Sequence, residues 1–167
     1  MPFTEGFESG TLSNYWRATG TADFRIRVTS ERNPDTGNYH VTMDDSTSTG
    51  FSRNELTLTV NLEHYTNVVL SYRGREFSDE PHPPPTSFLN GADFDGVAVS
   101  MDGITWYSVA DSTSFSNSYQ SYQVDLDTAI AAHGIAYNRM FMIRFNQYDN
   151  TRISNDGAAY DLSLIHI

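Results

Sequence analysis

Alternation of apolar and polar residues is the feature that most constrains how this chain folds. It is cleanest in residues 55–62 (ELTLTVNL), where aliphatic and polar side chains take turns. A period of two places successive side chains on opposite faces of a β-strand, so the run predicts a strand with one buried face. The sequence predicts further strands at residues 4–9, 22–29, 39–43, 68–77, 97–100, 104–109, 119–127, 139–146 and 158–162.

Asp102 and Gly103 predict a tight hairpin between two of these strands. An Asp-Gly pair favours a two-residue type I′ turn, in which both central residues have positive φ. On this basis we expect Val97, Val99 and Trp106 to face the same buried side of the sheet.

One helix and one long loop interrupt the strands. Residues 127–134 combine Asp127 as an acidic N-cap, an alanine-rich body and a final glycine, which predicts a short helix. Residues 78–91 contain four prolines and are predicted to form a long loop. About nine to ten strands with one short helix and no strand–helix–strand alternation predict an all-β fold, a two-sheet antiparallel jelly-roll sandwich.

Composition excludes several classes of function. The 167 residues fit one domain, and 21 acidic against 10 basic residues give a net charge of −11, so we expect no nucleic-acid partner. The sequence has no cysteine, which excludes disulfides, thiolate metal sites and cysteine nucleophiles. No apolar run approaches the about 20 residues of a membrane span, so we expect no membrane insertion. A composition rich in Ser, Thr, Asn, Asp and Tyr and poor in Lys favours an extracellular or cell-surface protein.

The last six residues differ in composition from the rest of the chain. Residues 162–167 (LSLIHI) match the in-frame translation of a transposase adapter used in sequencing libraries. This match predicts that the native domain is residues 1–161 and that it belongs to a longer chain with other domains, as in a metagenomic fragment. The alternative is a hydrophobic last strand.

Several motifs follow one another over nearly the whole chain. They are GFESG at residues 6–10 with Trp16, GNYHVTMDD at 37–45, DGVAVSMDGITWYSV at 95–109, YQVDL at 122–126, FMIRFNQYDN at 141–150 and DGAAYD at 156–161. In this order they resemble the MAM-like and concanavalin A-like jelly-roll modules of secreted bacterial multidomain proteins. Eukaryotic MAM domains carry disulfides and this chain has no cysteine, so the resemblance implies the sandwich architecture and not that receptor subfamily.

The resemblance also implies a structural Ca²⁺ site. Glu8 and Asp161 match the residues that hold the ion in related modules, with Asp44 or Asp45 as a further oxygen donor. Ca²⁺ takes six to eight oxygen ligands, some of them backbone carbonyls, so two or three carboxylates suffice. The alternative is that these residues are solvated acids at strand ends.

A second acidic group precedes the predicted hairpin. It consists of Asp79, Glu80, Asp93 and Asp95. Residues 93–96 (DFDG) look like part of a calcium loop but lack the distal glutamate of an EF-hand. The group predicts a second cation site in a loop, and turn-forming aspartates are the alternative.

Catalytic motifs are absent from the sequence. It contains no Gly-x-Ser-x-Gly elbow, no His-Glu-x-x-His and no phosphate-binding Gly-Lys-Ser/Thr. We therefore expect a non-catalytic accessory or adhesion module that binds carbohydrate or protein. Four tyrosines are candidates for stacking on sugar rings, namely Tyr107, Tyr119, Tyr137 and Tyr148.

Two other functions stay open from the sequence. A jelly-roll glycoside hydrolase or lyase would need two acids across a cleft, for which Asp125 with Asp127, or Glu76 with Glu80, are the nearest pairs. A purely structural spacer is the third possibility.

Overall fold

A computed structural model describes residues 3–21, 23–47, 50–150 and 156–166. These residues contain twelve strands and one helix, α1 (Leu126–His133). The strands are β1 (Phe3–Glu5), β2 (Trp16–Gly20), β3 (Phe24–Thr29), β4 (His40–Asp45), β5 (Ser52–Val60), β6 (Val69–Glu76), β7 (Ser87–Leu89), β8 (Gly96–Ser100), β9 (Thr105–Asp111), β10 (Gln120–Asp125), β11 (Phe141–Asp149) and β12 (Ala158–His166).

The strands form two antiparallel sheets. In sheet A the order is β10-β6-β12-β4-β3, and β1 also pairs with β12. In sheet B the order is β2-β5-β11-β8-β9-β7. The predicted all-β, two-sheet antiparallel sandwich with one short helix is therefore confirmed, although it has twelve strands rather than nine or ten.

The core lies between the sheets and is rich in aromatic rings. Phe145 of β11 is 1% exposed, and its ring centroid lies 4.9 Å from that of Tyr160 and 5.2 Å from that of Tyr72, both in sheet A. Trp16 of β2 packs on the same ring at 6.1 Å. Contacts of this kind join the two sheets and stabilise the fold by burying large apolar surfaces.

The alternation pattern does not predict two strands of sheet B. β2 has five residues, and the three residues of β7 lie inside the proline-rich segment that was predicted to be a loop. Both are edge strands, since β2 pairs with β5 and β7 pairs with β9. The three residues of β7 are too few to show a period of two, and in β2 only Trp16 and Ala18 carry the apolar positions.

The helix begins two residues earlier than predicted. Its N-cap is Asp125 and not Asp127, because an Oδ1 atom of Asp125 accepts the backbone N–H of Thr128 at 3.0 Å. Asp127 instead accepts the backbone N–H of Asn67 at 2.7 Å. Gly134 ends the helix in the left-handed conformation with φ 67°, as the sequence predicts.

The hairpin between β8 and β9 differs in register from the predicted one. Of residues 101–104, which connect the strands, only Gly103 has positive φ (75°), so the turn is not type I′. A two-residue turn would place Val99 opposite Trp106, whereas Val99 pairs with Tyr107. Because a one-residue shift exchanges the faces of a strand, Trp106 lies on the outer face of sheet B. The prediction that it faces the same side as the valines of β8 is wrong.

Among the described residues, no helix is long and apolar enough to cross a membrane.

A buried histidine connects sheet A to the loop before β10. The Nε2 atom of His40 lies 2.8 Å from the carbonyl oxygen of Glu31, so Nε2 carries the proton and Nδ1 accepts the hydroxyl of Tyr119. Burial lowers the pKa of His40. Both contacts suit the neutral ring.

We expect His40 to lower the free energy of unfolding as the pH falls below about 6.5, the ordinary histidine value, because the unfolded chain protonates His40 while the folded chain resists it. Asp79, with its raised pKa, acts in the opposite direction, so the His40 contribution is read by comparison. Between pH 7 and pH 5, urea denaturation should show that His40→Gln loses less stability, or gains more, than the wild type. His64→Gln, at a position whose side chain is 86% exposed, is the control. Equal pH dependence in His40→Gln and the wild type would contradict the prediction.

Replacing Phe145 with alanine should lower the free energy of unfolding by about 3–5 kcal/mol, because the ring fills the space between the sheets. Leu89→Ala, at an edge position that is 65% exposed, should cost at most about 0.5 kcal/mol. Urea denaturation of both variants measures the difference, and similar losses would show that Phe145 does not anchor the core.

Candidate functional site

An open depression of about 400 Å³ lies on the outer face of sheet B. It is formed where side chains of β2, β5 and β11 that point away from the core meet the β8–β9 hairpin. Its volume falls in the range of about 300–1,000 Å³ that is typical of small-molecule sites. The lining residues are Arg17, Thr19, Glu55, Thr57, Thr59, Gly103, Trp106, Met142 and Arg144.

A stacked tryptophan and arginine form part of this surface. The guanidinium carbon of Arg144 lies 3.6 Å from the centroid of the Trp106 ring, within cation–π distance. The Nε atom of Arg144 donates to the hydroxyl of Thr57 at 3.1 Å, and its Nη1 atom donates to the carbonyl oxygen of Asn90 at 2.7 Å. Burial lowers the pKa of Arg144. The guanidinium is thus held in one orientation.

Strand β7 and the residues after it help to bury Trp106. The Phe88 ring stacks on Trp106 with centroids 6.4 Å apart and an angle of 11° between the planes. Phe94 packs edge-on against Phe88 at 5.2 Å. The segment predicted to be a loop therefore builds a small second core on the outer face of sheet B.

Glu55 is the only carboxylate among the residues that line the depression. It accepts the hydroxyl of Thr19 and the Nη1 atom of Arg144, each at 3.2 Å, and pairs with the Nε atom of Arg53 at 3.2 Å. Its charge is therefore compensated, and Arg17 adds a further positive charge to the lining. The depression carries an excess of positive charge on a chain whose net charge is −11.

A second depression of about 260 Å³ adjoins the first one, and Thr59 lines both. Tyr15, which is 59% exposed, and Tyr65 contribute its aromatic surface. Sequence reasoning missed both tyrosines because they lie in connections, where no alternation marks them. The other lining residues are Phe3, Val60, Asn61, Leu62 and Ile165.

The four tyrosines predicted to stack on sugar rings line neither depression. Two of them use their hydroxyl groups in hydrogen bonds within the protein, and the rings of the other two pack on histidine rings. The contacts are Tyr119 with His40, Tyr137 with Asp127, Tyr107 with His133 and Tyr148 with His82.

Two residues of the first predicted calcium site lie beside the same turn. Glu8 accepts the backbone N–H of Tyr39 at 3.0 Å, and such hydrogen bonds lower the pKa of Glu8. Asp161 is fully buried and accepts the backbone N–H of Thr36 at 2.8 Å. Both carboxylates therefore help to hold residues 36–39 in place.

The third residue of that set, Asp44, has arginine partners. Its Oδ1 atom lies 2.7 Å from the Nε atom of Arg25, and its Oδ2 atom lies 3.2 Å from an Nη2 atom of Arg27. The neighbouring Asp45 accepts the backbone N–H of Thr47 at 2.8 Å. Two arginines thus compensate the charge of Asp44.

Three residues of the second predicted site line one cavity of about 80 Å³. These are Asp79, Glu80 and Asp95. Asp93 lies apart from them, since its side chain is 51% exposed and pairs with Arg53 at 3.3 Å. The structure brings three of the four predicted residues together and leaves out Asp93.

Burial raises the pKa of Asp79 to about 9, and the negative charge of Asp95 adds to the shift. The Nε2 atom of Gln147 donates to Asp79 at 3.0 Å. Asp95 accepts the backbone N–H groups of His82 and Tyr148 at 2.8 and 2.9 Å. The two aspartates thus attach the segment before β7 to strand β11.

Sequence reasoning missed two further acids that lie close to Glu80. Asp149 is the last residue of β11, and Asp156 lies just before β12. One carboxylate oxygen each of Glu80, Asp149 and Asp156 lies within 4.8 Å of the others. In the described part of the chain this is the only such group of three or more potential metal ligands. Both missed acids lie in motifs on which the family resemblance rests. These motifs were the only sequence signal that could have pointed to them.

Three of the four carboxylates considered for catalysis accept hydrogen bonds within the protein. Asp125 caps helix α1, and Asp127 accepts the hydroxyl of Tyr137 at 2.8 Å. Glu76 accepts the backbone N–H of Asp79 at 2.7 Å. None of these residues lines either depression on sheet B.

Solved carbohydrate-binding modules share this fold. The chain is similar to the N-terminal CBM22-1–CBM22-2 tandem domain of Xyn10C from Paenibacillus barcinonensis, with a TM-score of 0.58 and 14% identity, over 98% of this chain and 44% of that one. It is similar to the family 11 carbohydrate-binding module from Clostridium thermocellum in complex with a β-1,3-1,4-mixed-linked tetrasaccharide, with a TM-score of 0.53 and 9% identity, over 96% and 92% of the two chains.

An adhesin domain shares the fold as well. The K2 cleaved adhesin domain of Lys-gingipain matches with a TM-score of 0.53 and 12% identity, over 99% of this chain and 98% of that one. Neither a protein-family model nor a curated protein matches the sequence. The chain thus has the β-sandwich fold found in carbohydrate-binding modules, and it spans less than half of the tandem domain.

Glu55→Gln should lower the free energy of unfolding by about 1–3 kcal/mol, because Arg53 and the buried Arg144 lose the carboxylate that they share. Asp93→Asn removes an exposed partner of the same Arg53 and should cost at most about 1 kcal/mol. Urea denaturation of the two variants at neutral pH compares them. Equal costs would mean that the buried pair contributes no more than the exposed one.

Proposed function

We propose that this chain is a non-catalytic carbohydrate-binding module, and that the arginine-lined depression on sheet B holds the sugar. The fold it shares with carbohydrate-binding modules supports the class of function. The carrying observation is the depression itself, in which Arg144 and Thr57, joined by a hydrogen bond, lie with the exposed Arg17 and the side chain of Met142. Sites of this composition suit ligands that have both polar edges and apolar faces.

The hydrogen-bonding groups of the depression suit a ligand rich in acceptors. The contacts of Arg144 to protein groups use its Nε and Nη1 atoms, so its Nη2 donors are available to a ligand. Arg17 adds five donors, and the hydroxyl of Thr59 both donates and accepts. Hydroxyl and carboxylate oxygens of a saccharide match this set.

The charge of the depression favours acidic sugars. Glu55 is already compensated by its partners, so the arginines present positive charge to a ligand. Charge-assisted hydrogen bonds to a carboxylate are about twice as strong as neutral ones. We therefore expect uronic-acid polysaccharides to bind more tightly than neutral ones.

The same lining argues against glycoside hydrolysis at this place. That chemistry needs two carboxyl groups about 5–10 Å apart across the scissile bond. Glu55 is a single carboxylate and is occupied by arginine partners. We propose that the module instead serves other domains of a longer extracellular or cell-surface protein by holding them near a glycan; a protein ligand is the alternative partner.

Affinity electrophoresis in gels that contain polygalacturonate, xylan or mixed-linked β-glucan tests the proposal. We expect retardation of the wild type, strongest with polygalacturonate and reduced by added salt. Arg17→Gln should weaken binding about tenfold or more, because a charged hydrogen bond is lost. Arg139→Gln removes the same charge at a position that is 76% exposed and outside the depression, and should bind like the wild type.

Three results would overturn this assignment. The first is unchanged migration of the wild type in all three gels, and the second is equal binding by Arg17→Gln and Arg139→Gln. A loss of binding in Tyr15→Ala with none in Arg17→Gln would place the ligand in the second depression.

A further inference from the structure

We infer that Glu80, Asp149 and Asp156 form a Ca²⁺ site at the end of strand β11. The site differs from the one that the family resemblance implies, because it contains neither Glu8 nor Asp161. The site also differs from the second predicted group. Asp93 lies outside the site, and two acids from distant parts of the chain, Asp149 and Asp156, belong to it. The inference is independent of carbohydrate binding.

The geometry suits one calcium ion. One oxygen of each carboxylate lies within 4.8 Å of the other two. Ligands on opposite sides of a Ca²⁺ ion are separated by about 4.8 Å, twice a Ca–O distance of about 2.4 Å. Three carboxylates, with water and backbone carbonyls completing the six to eight ligands, make a site of ordinary composition for this ion.

Asp156 supplies the observation that points to a ligand. It is 2% exposed, and among the described residues no donor group bonds either of its carboxylate oxygens; its side-chain neighbour is another acid, Asp149. Oxygen Oε2 of Glu80 is likewise buried without a hydrogen-bond partner. A buried carboxylate without a partner costs several kcal/mol or more, so folded proteins almost always pair such a group or place it on a metal.

A divalent ion would offset the negative charge that these three carboxylates bring together. Arg32 lies close enough for its positive charge to act on Asp156. Glu80 also lines the neighbouring cavity of about 80 Å³, which gives room for water beside it.

Thermal unfolding after removal of divalent ions by EDTA tests the site. We expect Ca²⁺ at about 1 mM to raise the Tm of the wild type by about 5–10 °C, as for a ligand at about 100 times its Kd. Mg²⁺ should raise it less, because Mg²⁺ demands a smaller and more regular shell. Isothermal titration with CaCl₂ should show one bound ion per chain at this site.

Variants separate a ligand from a merely structural acid. Asp156→Asn should lose the response to Ca²⁺, while its Tm in EDTA should equal or exceed that of the wild type because one repelling charge is gone. Glu80→Gln should also lose the response to Ca²⁺, and it replaces Asp156→Asn in the test if that variant does not fold. Asp93→Asn is the matched control and should keep the full response.

The inference fails if Ca²⁺ neither releases heat nor changes the Tm of the EDTA-treated wild type. It also fails if Asp156→Asn and Glu80→Gln keep the wild-type response. Loss of the response in Glu8→Gln, with none in Asp156→Asn, would place the ion at the site that the family resemblance implies.

Discussion

Pairing of β11 with β5 on one edge and β8 on the other is the interaction on which the rest of the structure depends. Ile143 at its middle lies opposite both Leu58 and Val99. The inward residues of β11 fill the core, and its outward-facing Arg144 stacks on Trp106 in the depression. Its last residue, Asp149, lies with Glu80 and Asp156 in a group of three acids, the acidic cluster. Hydrogen bonds along both edges of a strand fix these positions relative to one another, which a loop could not do.

Alternation predicts which residues share a face of a strand, but it does not predict how two strands are aligned. The runs at residues 55–62 and 139–146 correspond to β5 and β11, and their apolar faces are buried as expected. The prediction of a type I′ turn from Asp102 and Gly103 is wrong because Asp102 forms hydrogen bonds with residues after Gly103. Its Oδ1 atom accepts the backbone N–H groups of Ile104 and Thr105 at 2.8 Å each. These contacts belong to the folded loop and cannot be inferred from two residues.

That one-residue shift decides where the candidate binding surface lies. It places Trp106 on the outer face of sheet B, where Arg144 and the residues of β7 cover it. A reader of the sequence would assign such a tryptophan to the core. Nothing local in the sequence marks Arg144 or Arg17 as members of one surface, because they lie on strands whose neighbours are set by the sheet order.

The acidic group shows a related limit. Proximity in the sequence selected Asp79, Glu80, Asp93 and Asp95, and three of these do line one cavity. Asp95 is buried, whereas the side chain of Asp93 is 51% exposed and pairs with Arg53, so the two aspartates have different surroundings. The missing acids come from the end of β11 and the residue before β12, and only tertiary structure brings them to Glu80.

The separation of the two surfaces bears on the proposal that this acidic protein binds an acidic sugar. A net charge of −11 repels a uronate at long range, but exposed charges interact weakly beyond a Debye length of about 8 Å at physiological salt. Arg144 and Asp149 lie on the same strand about 17 Å apart, at about 3.4 Å per residue. The acidic cluster is therefore screened from the depression, whose own charges are those of Arg17, Arg144 and Glu55. The proposed preference for uronates thus rests on local charge rather than on net charge.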